Sequence, residues 1–305
     1  MNNPNTPHSL VSCTVLSYNS AKTITETLDS IAAQTYPEIE LIISDDCSRD
    51  NTVEICIQWL ELNRSRFVRT ELITVDKNTG VSANSNRAFA ACMGEWKKGI
   101  AADDILLPNC VEDFMAFVSE HPEVRWVSSY IRKYDVVIAE QSCVGRNIVI
   151  SKSFFEKNIN EQLEEMARRC ALFAPSLFFN VSMMREISGY DSSYVAEDYP
   201  FYLKALEHGY KCYFMPHETV GYRIHDSLCR SGDKLFNYAF KKQMRRFKKE
   251  KCFKYLSGWE RLGVKLLWIV DDILEKLHLN KKKQTLVHLY SITQSFVYHV
   301  FGVSY

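Results

Sequence analysis

The chain has 305 residues, 46% of them hydrophobic and 24% charged, with a formal net charge of zero. That length and composition suit one large folded domain, or a domain with an appendage, and exclude a disordered or fibrous chain. The ten cysteines are scattered, with no CxxC pair and no His/Cys cluster, which excludes zinc-ribbon and thiol-redox motifs and suits a reducing cytosol.

Met1 to Pro7 has neither a basic start nor an apolar core, so residues 1–8 read as a short flexible arm rather than a signal peptide. Leu10 to Leu16 is an apolar run that predicts a buried strand, broken by Ser17-Tyr18-Asn19-Ser20, residues suited to capping a helix. Ala21, Ile24, Leu28 and Ile31 then recur at helical spacing up to Pro37. Glu40 to Ser44 predicts a second strand that ends in Asp45-Asp46-Cys47-Ser48, and Val53, Cys56, Ile57 and Leu60 mark the next helical face. Glu71 to Val75 is a third strand, Asp76 to Gly80 its turn, and Ser82 to Met93 a helix of small residues closed by Gly94. A fourth strand enters Ile100-Ala101-Ala102-Asp103-Asp104-Ile105, and a helix from Asn109 to Glu120 and a strand from Val124 to Tyr130 follow. This alternation predicts an α/β fold with a mainly parallel sheet covered by helices.

Polar residues close three of these strands: Tyr18 and Asn19, Asp45 and Asp46, Asp103 and Asp104. In a parallel sheet those ends share one edge, where open α/β sheets bind ligands. No turn carries GxGxxG or GxxxxGK[ST], so bound phosphates would fall to a metal and to side chains. The adjacent carboxylates Asp103 and Asp104 suit a hard divalent cation that fills its shell from substrate phosphates; the plainer alternative is a solvated turn capping the next helix.

Residues 131–170 are polar and irregular, with a helix expected around Glu161 to Arg169, and read as a mobile cover or acceptor-facing insertion. Ala171 to Phe179 returns to apolar β-like sequence, and Gly189-Tyr190-Asp191 marks a turn. Glu197-Asp198 opens a helix with Phe201, Leu203 and Leu206 inward and Gly209 as its stop; the helix dipole alone would favour two acids there. Tyr210 to Phe214 is a further strand, and beyond Pro216 comes Gly221-Tyr222-Arg223-Ile224-His225. His225 reads either as an ordinary satisfied histidine or, with carboxylates upstream, as a metal ligand.

Taken together, Val11 to Asn19, Ile43 to Ser48, Asn78 to Ala83, Gly94-Glu95-Trp96, Ala102-Asp103-Asp104, Gly189-Tyr190-Asp191, Glu197-Asp198 and Arg223-Ile224-His225 closely resemble the family 2 glycosyltransferases of GT-A fold. The resemblance runs from about residue 9 to 230 and implies a Rossmann-like GT-A catalytic domain over 9–233. It further implies an inverting transfer of a sugar from a nucleotide-diphosphate donor, usually UDP-linked, to a saccharide hydroxyl, with a divalent ion, manganese or magnesium. By the same resemblance Leu16, Tyr18 and Asn19 line the base pocket, Asp46 meets the base, and Asp103 meets the ribose. Asp104 and His225 hold the metal, Arg230 reaches the phosphates and Asp198 is the general base. The implied setting is bacterial surface-polysaccharide synthesis of the O-antigen kind, with acceptors such as polyprenyl-diphosphate-linked saccharides.

Three positions depart from the family pattern. Asn84-Ser85-Asn86 stands where many members have Ala-Arg-Asn, and Arg87 is expected to point elsewhere on that helix. Lys97 and Lys98 occupy the strand before the acids, where apolar residues are usual. Ala101 replaces a first aspartate.

From Lys234 to Lys283 there are fifteen Lys/Arg and five Asp/Glu, an excess of ten that the rest of the chain offsets. Residues 234–305 are therefore expected to form a basic, amphipathic helical appendage. It suits a peripheral site on the inner face of the cell membrane, or a hairpin packed on the catalytic domain, or a homodimer contact. Such charge could also serve nucleic acid, but no nucleic-acid motif accompanies it and none is expected as a partner. A non-catalytic carbohydrate-binding or scaffold protein of the same fold is the alternative function. A two-metal phosphohydrolase would need more metal ligands than the chain offers.

Overall fold

The computed structural model describes residues 9–224 and 233–304; the expected N-terminal arm, and the stretch that holds His225 and Arg230, lie outside them. β1 (Val11–Ser17), β2 (Ile39–Asp45), β3 (Arg69–Ile73) and β4 (Trp96–Ala101) are parallel, in the spatial order β3-β2-β1-β4. Their connections are α1 (Ile24–Ala32), α2 (Thr52–Asn63) and α3 (Val81–Ala90). All seven residues of β2 are buried, as expected of a strand covered on both faces, which must be apolar or fully paired throughout. Of its two acids, Glu40 is satisfied by Ser12, Arg69 and the amides of Met93 and Gly94, and Asp45 by Ser17 and Ser48.

Among the described residues the sheet has nine strands, and its second half is mixed. β5 (Ile105–Leu106) leads to α4 (Cys110–Glu120), and β6 (Trp126–Asp135) runs on past Tyr130 and returns as β7 (Cys143–Ile148). Residues 131–148 are thus an extension of the sheet, followed by α5 (Ser153–Glu156) and by the expected helix, α6 (Ile159–Arg168). Asn158 caps α6 by accepting from the Glu161 amide at 3.1 Å, while the Glu161 carboxylate reaches back to the Asn158 amide. β8 (Leu177–Asn180) is antiparallel to both β4 and β6, so no helical crossover is needed there. After α7 (Val181–Glu186) and α8 (Asp198–Glu207), β9 (Tyr213–Ile224) lies parallel to β6 and pairs with β5.

α9 (Tyr238–Phe247), a π-helical turn at Lys248–Cys252, α10 (Gly258–Lys276) and α11 (Gln284–Phe301) complete the described chain. Phe247, Leu267, Trp268, Val297 and Phe301 share one hydrophobic cluster with Tyr199, Phe201 and Tyr202 of α8. Part of the basic run is turned inward. Lys248 Nζ donates to the Ala167 and Arg168 carbonyls at 3.1 Å, completing the C-terminus of α6, where a cation is favoured. Lys241 meets Asp271 at 3.2 Å and Arg245 meets Asp272 at 2.7 Å.

Candidate active site

The register Ser17↔Asp45 and Leu16↔Ala101 brings the ends of β1, β2 and β4 to one edge. Asp46 N donates to Ser17 O and Ala102 N to Leu16 O, both at 3.0 Å, so the turns leave the sheet side by side. Asn19 (φ 52°) and Cys47 (φ 67°) take left-handed backbone at that edge, a costly geometry that tends to collect at functional turns. Asn19 binds the turn after β2 through Ser48 Oγ and the Arg49 amide, each at 2.8 Å. Leu16 is half-buried beneath, while the Tyr18 ring is 45% exposed. Asp45 is consumed structurally, accepting from Ser17 Oγ and the Ser48 amide.

Asp46 is buried and has both carboxylate oxygens engaged. It accepts from the Thr79 amide and hydroxyl, from the Gly80 amide at 2.7 Å and from Arg87 Nη2 at 2.6 Å. Those donors hold its carboxyl below the usual range despite burial. Asp46 therefore ties the Asp76 to Gly80 turn to the sheet edge. The expectation for Arg87 is corrected: it shares a face of α3 with Asn84 and donates to Thr79 and Asp46 at this edge. Residues three apart are neighbours on a helix, and helical side chains lean toward the N-terminus, here the end facing the crevice.

Asp104 is only 3% exposed. Its Oδ1 accepts the Arg223 backbone N–H at 2.8 Å, and its own carbonyl receives Thr27 Oγ1. Burial, then the neighbouring Asp103, push its carboxyl well above the ordinary aspartate range. Asp103 is half-buried beside it. Among the described residues no group of three His, Cys, Asp or Glu side chains is gathered into an all-protein metal cage. A buried carboxylate that is costly to ionise and has no described donor on Oδ2 does fit a hard cation drawing most of its ligands from a bound pyrophosphate.

Arg223 is the residue that motif reading undervalued: it was legible only as the first letter of Arg-Ile-His. Its guanidinium donates to the Asp103 carbonyl at 2.8 Å and the Val136 carbonyl at 2.9 Å, and pairs with Glu26 of α1. One side chain thus joins β9, α1, the end of β6 and the Asp103-Asp104 turn. Arg223→Ala is expected to cost about 2 kcal/mol, since it leaves carbonyls without donors. A fall of several degrees in Tm checks this. Arg223→Lys, lacking the planar fork, is expected to recover only part of it.

Glu197 and Asp198 open α8. The loop before them is tied to α3: Asn86 exchanges two hydrogen bonds with the Tyr190 backbone, at 2.8 and 2.9 Å, and Ser82 Oγ donates to Tyr194 O at 3.0 Å. Ser82 lies in the first turn of α3, directly after the turn fastened to Asp46, so the loop joins the same end of the sheet. Both carboxyls of the pair are raised by burial, and Glu197 is pushed up to about 8 by burial and by Asp198. Asp198 Oδ1 accepts from the Tyr199 amide at 2.7 Å.

The two strand lysines now have separate explanations. Lys98 Nζ donates to the Pro175 and Leu177 carbonyls and lies 5.6 Å from the Phe114 ring, stapling the start of β8 to β4. Lys97 points to the opposite face. A Cβ at Gly99 would stand 2.8 Å from Lys97 Nζ, so the side chain runs along its own strand toward the crevice through the space that the glycine leaves. There it donates to Tyr190 Oη at 3.4 Å, beside the buried and unpartnered Thr14 Oγ1, with Glu197 the nearby countercharge.

A model of glycosyl transferase family 2 matches residues 12–178, and one of glycosyl transferase family group 2 matches residues 100–268. An uncharacterized glycosyltransferase of Haemophilus influenzae is 25% identical over 91% of this chain and 83% of its own length. An Escherichia coli UDP-Gal:alpha-D-GlcNAc-diphosphoundecaprenol beta-1,3-galactosyltransferase is 24% identical over 61% of this chain and 63% of its own length. The crystal structure of Staphylococcus aureus TarS 1–349 with UDP-GlcNAc superposes with a TM-score of 0.58 at 20% identity, over 97% of this chain and 73% of that one. In sequence this chain spans 31% of full-length TarS, a poly(ribitol-phosphate) beta-N-acetylglucosaminyltransferase.

Proposed function

The chain belongs to glycosyl transferase family 2, and from that premise we propose that it is an inverting, metal-dependent transferase moving a sugar from a UDP-sugar to a saccharide hydroxyl. The resulting linkage is β, formed in the synthesis of a surface polysaccharide. The observation that carries the reading is the shared sheet edge: Asp46, Asp103 and Asp104 end its strands, and Glu197-Asp198 is fastened to the helix that rises from it. The UDP-linked donors of the E. coli relative and of the TarS complex support the donor class.

In this mechanism Leu16, Tyr18 and Asn19 form the wall beside the base. Asp46, through Thr79 and Arg87, holds the turn that closes that wall. Asp103 faces the ribose, and Arg230 the phosphates. Asp104, with His225, would hold a manganese or magnesium ion, which supplies charge neutralisation at the departing diphosphate. Asp198 accepts the proton of the attacking hydroxyl as its oxygen bonds to the anomeric carbon on the face opposite the leaving group. One base suffices for a single inverting displacement. Burial raises its carboxyl above the ordinary aspartate range, which makes it a stronger base.

Lys97 tunes that pair. Its positive charge lowers the Glu197 carboxyl, so Lys97→Met is expected to let the pair keep its proton longer. The acid limb of the kcat/KM profile then moves to higher pH; an unmoved limb refutes the assignment.

A lipid-linked acceptor, like that of the E. coli relative, puts the work at the inner membrane face. The chain would work there at the membrane surface; no helix among the described residues is long and apolar enough to cross a bilayer. The test is donor hydrolysis with UDP-glucose, UDP-galactose, their N-acetyl forms and GDP-mannose, each with and without manganese. Stimulated hydrolysis of a UDP-sugar is expected. Saccharide binding with no hydrolysis of any donor would favour the scaffold alternative.

A further inference from the structure

α10 buries Val264, Leu267, Trp268 and Asp271 against the catalytic domain, and α11 buries Val297 and Phe301. Away from those faces, α10 presents Trp259, Leu262, Ile269, Ile273 and Leu277, and α11 presents Leu289, Ile292, Phe296 and Val300. Each of these side chains is between 41% and 60% exposed. On both helices these recur every three, four or seven residues, so each set forms one stripe; Val287 and Tyr298 of α11 are exposed outside it. The helices are antiparallel and closely packed. A Cβ at Gly263 would come within 2.4 Å of Phe301, and the Trp259 indole donates to the Val300 carbonyl at 3.1 Å while lying 4.6 Å from the Phe301 ring. Trp259 thus joins the two stripes at one end of the pair.

The exposed charges at the open end of this apolar plate are mainly positive. At this end the turn between the helices exposes Lys276, Lys281, Lys282 and Lys283. Every acid of α10 is engaged elsewhere: Glu260 with Arg168, Asp271 with Lys241, Asp272 with Arg245, and Glu275 with Asn280. α11 has no Asp, Glu, Lys or Arg at all. A surface that pairs an aromatic and aliphatic plate with a cationic end, where four exposed lysines outnumber the exposed Asp233 whose carbonyl accepts the Lys282 amide, complements anionic lipid: apolar groups among the acyl chains, ammonium groups at the phosphates.

We propose that α10 and α11 lie side by side in the membrane interface and dock the protein on anionic phospholipid through the Trp259 to Leu277 and Leu289 to Val300 stripes. This deepens the peripheral reading above but stands on burial and charge alone, so the two fail separately. The test is co-sedimentation of the full chain with phosphatidylcholine vesicles, with and without phosphatidylglycerol. Binding to the phosphatidylglycerol vesicles only, weakened by salt, is expected. Ile273→Asp with Phe296→Asp is expected to reduce that binding at least roughly tenfold, while donor hydrolysis and the circular-dichroism spectrum stay unchanged. Gln in place of Lys276, Lys281, Lys282 and Lys283 should lower it to the weak level seen on phosphatidylcholine, without touching the apolar stripe. Absence of binding to either vesicle overturns the proposal. So does a dimer in sedimentation velocity that the Asp variants dissociate, since a second copy would then cover the plate.

Discussion

Asp198→Asn is expected to leave UDP-sugar binding intact and to lower transfer by roughly 10²- to 10⁴-fold, the usual contribution of a positioned general base. The amide keeps the size of the side chain, and its oxygen can still accept the Tyr199 amide, so α8 should start where it does now. What it cannot do is take up a proton. The raised carboxyls of the Glu197–Asp198 pair give two further readouts. Transfer by the natural protein should rise with pH on the acid side as the pair loses its shared proton. Glu197→Gln, by removing the negative neighbour, should shift that limb to lower pH rather than abolish turnover. The stability sign is the opposite of that for a salt-bridged acid. A carboxyl whose folded-state pKa is raised contributes stability at low pH that is lost as pH climbs through the folded value, here about 8 for Glu197. Asp198→Asn, which leaves one fewer charge to bury, should therefore raise Tm at alkaline pH while silencing transfer. Normal turnover by this variant would remove Asp198 from the base role.

The repeated strand and helix up to Glu120 was readable because each unit carries its own period and its own stop, and the strand-end acids followed from where those stops fall. The antiparallel insertion of β8 was not readable, because Leu177-Phe178-Phe179 is a short apolar run with no polar alternation to give its direction. Residues 131–148 read as polar and irregular because β7 is an edge strand, paired among the described residues with β6 alone, and the end of β6 between β7 and β9 carries the half-exposed polar residues Arg132 and Lys133 instead of an apolar run. The same limit applied within the site. Motif spacing located Asp46 and Asp104, but not the side chains that hold them. Arg87 and Arg223 reach across tens of residues to bonds that only the folded backbone defines. Lys97 and Lys98 broke the apolar pattern for a reason invisible in one dimension: each ammonium leaves the strand on a different face and finds its own acceptors, the carbonyls before β8 for one and Tyr190 for the other. The charge excess of residues 234–283 was legible as a sum, yet Lys241, Arg245 and Lys248 spend part of it inside the molecule, while the lysines of the hairpin end are among those that stay exposed.

Asp104→Asn is expected to remove metal-stimulated donor binding and to lower transfer at least as severely as loss of the base. Asp104 sits almost fully out of water with an adjacent carboxyl and one backbone donor, an arrangement that on its own penalises the charged form. The carboxylate earns its charge only when a cation is supplied to it, and a cation must displace the proton to bind, so binding weakens as pH falls. The natural protein should therefore gain thermal stability from manganese with UDP, and gain more at pH 8 than at pH 6. Sign and window follow from the raised carboxyl: the proton to be displaced is held more tightly than on an ordinary aspartate, so competition persists toward neutral pH instead of ending near the usual aspartate range. In Asp104→Asn the manganese-dependent part of the gain should vanish at both pH values. Base stacking against the Tyr18 wall should leave a small gain from UDP alone. Because the asparagine can still accept the Arg223 amide, the metal-free variant is expected to melt no lower than the natural chain. A lost metal response would then report a lost ligand rather than a damaged turn. An undiminished manganese response in Asp104→Asn would move the cation elsewhere and leave this buried acid with a structural role alone.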